Sequence, residues 1–157
     1  MSATNTRSRL LSAAQNLCGD FASQKDIPTL LSHFSTTEPE AIEHGECLLA
    51  PFLGHKFVGL QAIQSYFELL EKHITYRKMR FSEYIVDVEE RRVAVKGEAE
   101  FTWTATDQKW DETFAYALYF DEKDKIKRHQ VWGDSGAAYL ARMGELNQKQ
   151  KEYNQQV

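Results

Sequence analysis

The groups able to do chemistry in this 157-residue chain are a few polar side chains set among apolar ones. An imidazole titrates near ~6.5, so His44 and His129 are competent proton donors or acceptors around neutrality. Glu112 sits in a strand-like row, Trp110, Glu112, Phe114, Tyr116 and Leu118, in which a carboxylate is out of pattern. It is either hydrated at a rim or turned toward a ligand, because a glutamate is seldom fully buried. Tyr116 lies mid-row, where its hydroxyl needs a partner: a ligand or another core group. His44, His129 and Glu112 together have the composition of a two-histidine, one-carboxylate metal site, but their spacing is not diagnostic of one. Cys18 and Cys47 form neither a CxxC nor a zinc-like pattern, so no disulfide framework is expected. Asp134 reads as the cap of a following helix.

Several elements must position these groups. Leu10, Leu11, Ala14, Leu17, Cys18 and Phe21 recur at helical spacing over about 7–23. A second short helix follows Asp26, with Pro28 in its first turn. The segment 40–44 reads as a short strand between Pro39 and Gly45. Residues 47–58 are irregular but apolar, a loop that covers something greasy. Gly59 opens a third helix with Leu60, Ile63, Tyr66, Phe67, Leu70 and Ile74 on its period. From Thr75 the period becomes two and four strands run to about Asp134, the clearest over 92–106. There Val93, Val95, Gly97, Ala99, Phe101 and Trp103 share one face. The charge run 87–92 reads as a solvated hairpin turn. A helix from Ser135 carries Ala137, Ala138, Leu140 and Met143. The reading is one domain over 1–146, with 147–157 a polar tail expected to be disordered.

Bulk properties narrow the function classes. Hydrophobic residues at 42% and charged ones at 27% describe a globular chain. A net charge of −4 argues against a polyanion binder, so no nucleic-acid partner is expected. No apolar run approaches the roughly 20 residues that span a bilayer, and the first residues lack a secretory apolar segment. No membrane partner and a cytoplasmic location are expected.

The order helix, helix, strand, helix, long antiparallel meander resembles the nuclear-transport-factor-2-like superfamily. The resemblance is carried by Asp26–Phe34 leading into Ala41–His44, by Phe57, Gly59 and Ile63 with Tyr66 and Phe67, and by Tyr119–Ile126 followed by Val131–Asp134. Within it the chain looks most similar to SnoaL-like polyketide cyclases and ketosteroid isomerases. The implied fold class is α+β, a cone in which a curved antiparallel sheet wraps around helices and encloses a pocket.

That resemblance also implies a site. The isomerases carry a carboxylate base at the end of the first short strand, and here the position falls on His44. Their first-helix oxyanion tyrosine corresponds roughly to Cys18, a poor donor, and their second donor to Tyr116. The same alignment turns His129 inward beside Tyr116. The expected catalytic set is thus His44 as base, with His129 and Tyr116 serving the developing oxyanion. Phe101, Trp103, Glu112, Phe114, Cys18, Phe21 and Val131 would contact a hydrophobic polyketide- or terpenoid-like substrate under the 47–58 loop. Isomerisation, cyclisation or dehydration of this kind implies no cofactor and no metal. The outer sheet face, with Thr102, Thr104, Ala115, Ala117, Tyr119 and Trp132, implies a homodimer. The alternative is a non-catalytic dimeric binding or scaffold module of the same fold.

Overall fold

The computed structural model describes residues 2–157. Among these, five helices and one six-stranded sheet follow in the order α1 (Ala3–Ala22), α2 (Ile27–Leu31), β1 (Glu40–His44), β2 (Lys56–Val58), α3 (Leu60–His73), β3 (Ile74–Asp87), β4 (Arg92–Trp103), β5 (Gln108–Phe120), β6 (Ile126–Trp132), α4 (Ser135–Arg142) and α5 (Leu146–Gln156). The sheet order is β2-β1-β6-β5-β4-β3. Within it the β1–β6 pair is parallel and the other pairs are antiparallel. Shifts in the β3–β4 register at Arg77/Arg80 and Ser82/Ile85 bend the long strands, as bulges do. This is the α+β cone expected from the sequence, with its core between the concave face and helices α1 and α3.

Local chemistry explains the boundaries. Asp26 accepts from Thr29 N at 2.9 Å to start α2, and Asp134 accepts from Ala137 N at 2.9 Å to start α4. Gly59, at φ +90°, begins α3 without a side-chain cap. Arg9 and Arg91 both bind the Asp124 carboxylate, tying α1 to the turn between β5 and β6.

Strand alternation sorts the sheet as the sequence suggests. Along β4, Val93, Val95, Gly97, Ala99, Phe101 and Trp103 are buried and alternate with half-exposed neighbours. Gly97 is required by its partner on β5: a Cβ there would lie 2.2 Å from the Phe114 ring. Gly97→Ala should therefore destabilise the chain by about 1–3 kcal/mol, the usual range for overpacking. Urea unfolding checks this, and an unchanged midpoint would mean that Phe114 swings aside freely.

Two segments differ from their sequence reading. Part of the irregular loop pairs as β2, held by Ala41↔Phe57. The polar end forms α5, where disorder is expected from composition. Its side chains are nearly all exposed, with Leu146 the buried one, and its start is fixed by Asn147 N donating to the Gln108 side chain at 3.1 Å.

Candidate active site

The inner sheet face and the helices leave a cavity of about 90 Å³. Its wall is aromatic, including Phe21, Tyr66, Tyr76, Phe101, Trp110, Phe114 and Tyr116, and it holds the acids Glu43, Glu112 and Asp134. Phe52 and Leu53 bury into it from the 47–58 segment, so that loop covers the site as expected.

Register decides which strand residues face inward. Ala41 pairs with His129, Glu43 with Val131, and His44 with Trp132. Val131 in turn pairs with Tyr116. Glu43, Val131 and Tyr116 therefore form one row across the concave face, with Glu43 and Tyr116 two strand spacings, roughly 10 Å, apart at the backbone. Glu43 is half-exposed by surface area, but that surface belongs to the cavity, and its carboxylate has protein on all sides. Tyr66, on α3, donates its hydroxyl to Glu43 Oε2 at 2.8 Å. Burial outweighs this bond and, helped by the charge of Glu112, lifts the Glu43 carboxyl from 4.5 to about 7. Burial also holds Tyr116 well above an ordinary phenol. Its hydroxyl makes no hydrogen bond among the described residues. Glu112 Oε1 accepts from Trp110 Nε1 at 3.1 Å and from Asp134 N at 3.0 Å. Burial raises its carboxyl too, against the two bonds and with the help of the Asp134 charge.

The structure corrects the histidine assignments. His44 borders the cavity edge, but its ring stacks on Trp132 (centroids 4.6 Å, 15°) and its Nε2 bonds Gln130 Oε1 at 2.9 Å, both on the outer face. The inward carboxyl on β1 is Glu43, one residue earlier. His129 does point inward, 4.5 Å from the Tyr116 ring, but packs behind it between Phe21 and Phe34 and off the cavity wall. It is 1% exposed, and neither ring nitrogen has a hydrogen-bond partner among the described residues. Burial drops its pKa to about 3, so it stays neutral where an acid would be needed. The two imidazole rings turn to opposite faces of the sheet, and among the described residues no His, Cys, Asp and Glu side chains, His44, His129 and Glu112 included, converge as a metal set.

Of the expected contacts, Tyr116, Phe101, Glu112, Phe114, Phe21 and Val131 line the cavity. Trp103 does not; it stacks on His73 with centroids 5.4 Å apart. Cys18 is buried in the core, facing Tyr84, with its thiol pushed up to about 12 by burial. Missed from sequence were Glu43, Tyr66 and Tyr76. The signal for Tyr66 was its helical period in α3, which marks an inward face but not a hydroxyl reaching a carboxylate.

No protein-family model matches this chain, and no curated protein matches its sequence. Solved structures do. An NTF2-like protein of unknown function from Burkholderia pseudomallei superposes with TM-score 0.73 at 14% identity, over 85% of this chain and 96% of that one. TerC, co-crystallised with polyporic acid, gives 0.72 at 18% identity over 85% and 97%. AusH from Aspergillus nidulans gives 0.63 at 21% identity over 82% and 86%. At these identities the likeness is one of fold: the chain has the nuclear-transport-factor-2-like fold.

Proposed function

We propose that this domain binds a small hydrophobic metabolite and isomerises, cyclises or dehydrates it by proton transfer. The observation that carries this reading is Glu43: a carboxyl held at about 7 inside an aromatic cavity, in one row with an unpartnered tyrosine hydroxyl. A base is most effective when its pKa sits near the working pH. The Glu43 carboxylate takes a proton from a carbon next to a carbonyl, and the Tyr116 hydroxyl hydrogen-bonds the oxygen as charge develops on it. Tyr66 holds Glu43 in place, and Glu43 returns the proton to a second substrate atom. Phe21, Phe101 and Phe114 bound the ring system and exclude water. Such a reaction balances with the chain's own groups. That TerC, a structure similar to this chain, was co-crystallised with polyporic acid supports a small-molecule ligand.

The test incubates the protein with a metabolite extract in D2O and follows masses with time. A metabolite that gains deuterium or isomerises with the wild-type chain but not with Glu43→Gln is the expected result. An extract left unchanged, or changed equally by both, sinks the reading.

A second reading, a non-catalytic binding or scaffold module, draws on the narrowness of the cavity. At about 90 Å³ it is below the roughly 150 Å³ that admits benzene, so a ring must displace wall side chains to enter. The same extract experiment separates the two readings, because a scaffold changes no metabolite.

Homodimerisation through the outer sheet face belongs to either reading. Ala115 is exposed and Trp132 is 45% exposed on that face, though Arg92 and Arg128 lie over the Tyr119 ring beside them. A sedimentation experiment at micromolar concentration should show a dimer that Trp132→Glu converts to monomer. A wild-type monomer would remove the dimer from the proposal.

A further inference from the structure

The charge of the cavity is one-sided. Among the described residues, three carboxylates line it and no Lys or Arg does. Glu112 is the least balanced of them. Both of its hydrogen-bond donors, Trp110 Nε1 and Asp134 N, go to Oε1. Oε2 receives none from the described residues, and lies over Gly133, where an added Cβ would come within 3.0 Å of it. Asp134, whose Oδ1 is already used to cap α4, adds a second negative charge at the same end. Trp110, whose Nε1 donates to Glu112, stacks on Phe101 at 5.7 Å, and Phe101 in turn meets Phe114 at 6.0 Å. An unpaired carboxylate oxygen in a cavity lined by rings suits a cation carried on an apolar body, which gains from the charge and from contact with the rings. The Tyr116 hydroxyl, on a residue 7% exposed and without a partner among the described residues, lines the same cavity, so the cavity is built for a polar ligand rather than left as imperfect core.

The geometry points to a substrate that carries a protonated amine on an apolar, ring-bearing body, its nitrogen held by Glu112 Oε2 at the Gly133–Asp134 end and its reacting carbon toward Glu43. This rests on the acid–base reading for the role of Glu43 and adds the substrate class. Neutral ring compounds would enter more weakly, and carboxylates would be rejected by the acids already there.

Three near-isosteric probes test it at pH 7.5 by titration calorimetry: 2-phenylethylamine, 2-phenylethanol and 3-phenylpropanoate. The amine should bind about tenfold or more tighter than the alcohol, the scale of a desolvated charge and ring contact, with the carboxylate weakest. Glu112→Gln retains an oxygen for both Oε1 donors and should bring amine and alcohol together, whereas Glu43→Gln should keep the amine ahead. Alcohol or carboxylate binding as tightly as the amine overturns the proposal. So does an amine preference that survives Glu112→Gln, or no amine binding at millimolar concentration. If amine preference holds but deuterium exchange is indifferent to Glu43→Gln, the acid–base reading fails alone. If exchange depends on Glu43 but the amine has no advantage, the substrate class fails alone.

Discussion

Glu43→Gln should yield a protein that is more stable than the wild-type chain above pH 7 and at least ~10² slower in turnover, the lower end for loss of a positioned base. The stability part follows from proton linkage. The Glu43 carboxyl lies at about 7 in the folded chain against an ordinary 4.5. The folded state thus holds this proton more tightly than the unfolded state. Below pH 4.5 the group is neutral in both states and contributes nothing. Between 4.5 and 7 the unfolded chain ionises first, and folding loses stability as pH rises. Above 7 both states are ionised, and the penalty levels off at about 3 kcal/mol. A glutamine oxygen can still accept from Tyr66 at the same place, so the bond of 2.8 Å has a substitute. Urea unfolding at pH 4, 6 and 8 should show no gain at pH 4 and the full gain at pH 8. An equal shift at all three pH values would mean that the Glu43 carboxyl is not perturbed as the structure indicates.

The second large effect concerns acid. His129→Leu should remove most of the chain's loss of stability between pH 7 and pH 4. In the folded state the imidazole protonates only near 3, against an ordinary 6.5. Above 6.5 the ring is neutral in both states and costs nothing by linkage; as pH falls from 6.5 toward 3 stability is lost, because the unfolded chain takes the proton first. The linkage amounts to about 2 kcal/mol at pH 5 and roughly 5 kcal/mol near pH 3. At pH 7 the leucine should also gain about 1–3 kcal/mol, since the N–H and lone pair of His129 are buried without partners among the described residues and leucine brings neither. Melting temperatures from pH 4 to 8 measure both effects. A variant weakened uniformly across that range would show that His129 has a bonding partner, such as an internal water, in solution.

Glu43 as the cavity-facing carboxyl of β1 and His129 as a buried neutral ring mark the boundary of what is readable in the sequence. Long elements were legible. Thirteen residues of β5 and twelve of β4 alternate clearly enough to assign faces, and that alternation by itself turns Phe101, Glu112, Phe114 and Tyr116 toward the cavity. The order of helices and strands sufficed for the fold, and Asp26 and Asp134 announced their helices as caps. Trp103 shows the limit of alternation: it is on the inner face but beyond the cavity, because distance along a strand matters as much as side.

The bounds of the short, parallel-paired β1 were legible, but its inward face was not. β1 has five residues, and the resemblance turned its last one, His44, toward the pocket. The reverse holds: Ala41 is fully buried and Ile42 only half-buried. A one-residue change of register exchanges every side chain between faces, and five residues offer too little alternation to prevent the error. Parallel pairing with β6 and the Tyr66 bond from α3 set the register instead, and both link residues far apart in sequence. Sequence alone therefore determined the architecture, the strand faces of the long hairpins and the aromatic character of the pocket, because those follow from local periodicity. Tertiary structure decided that a buried glutamate faces the cavity while the His44 ring turns to the outer face, because orientation and raised pKa arise from contacts that local pattern does not encode.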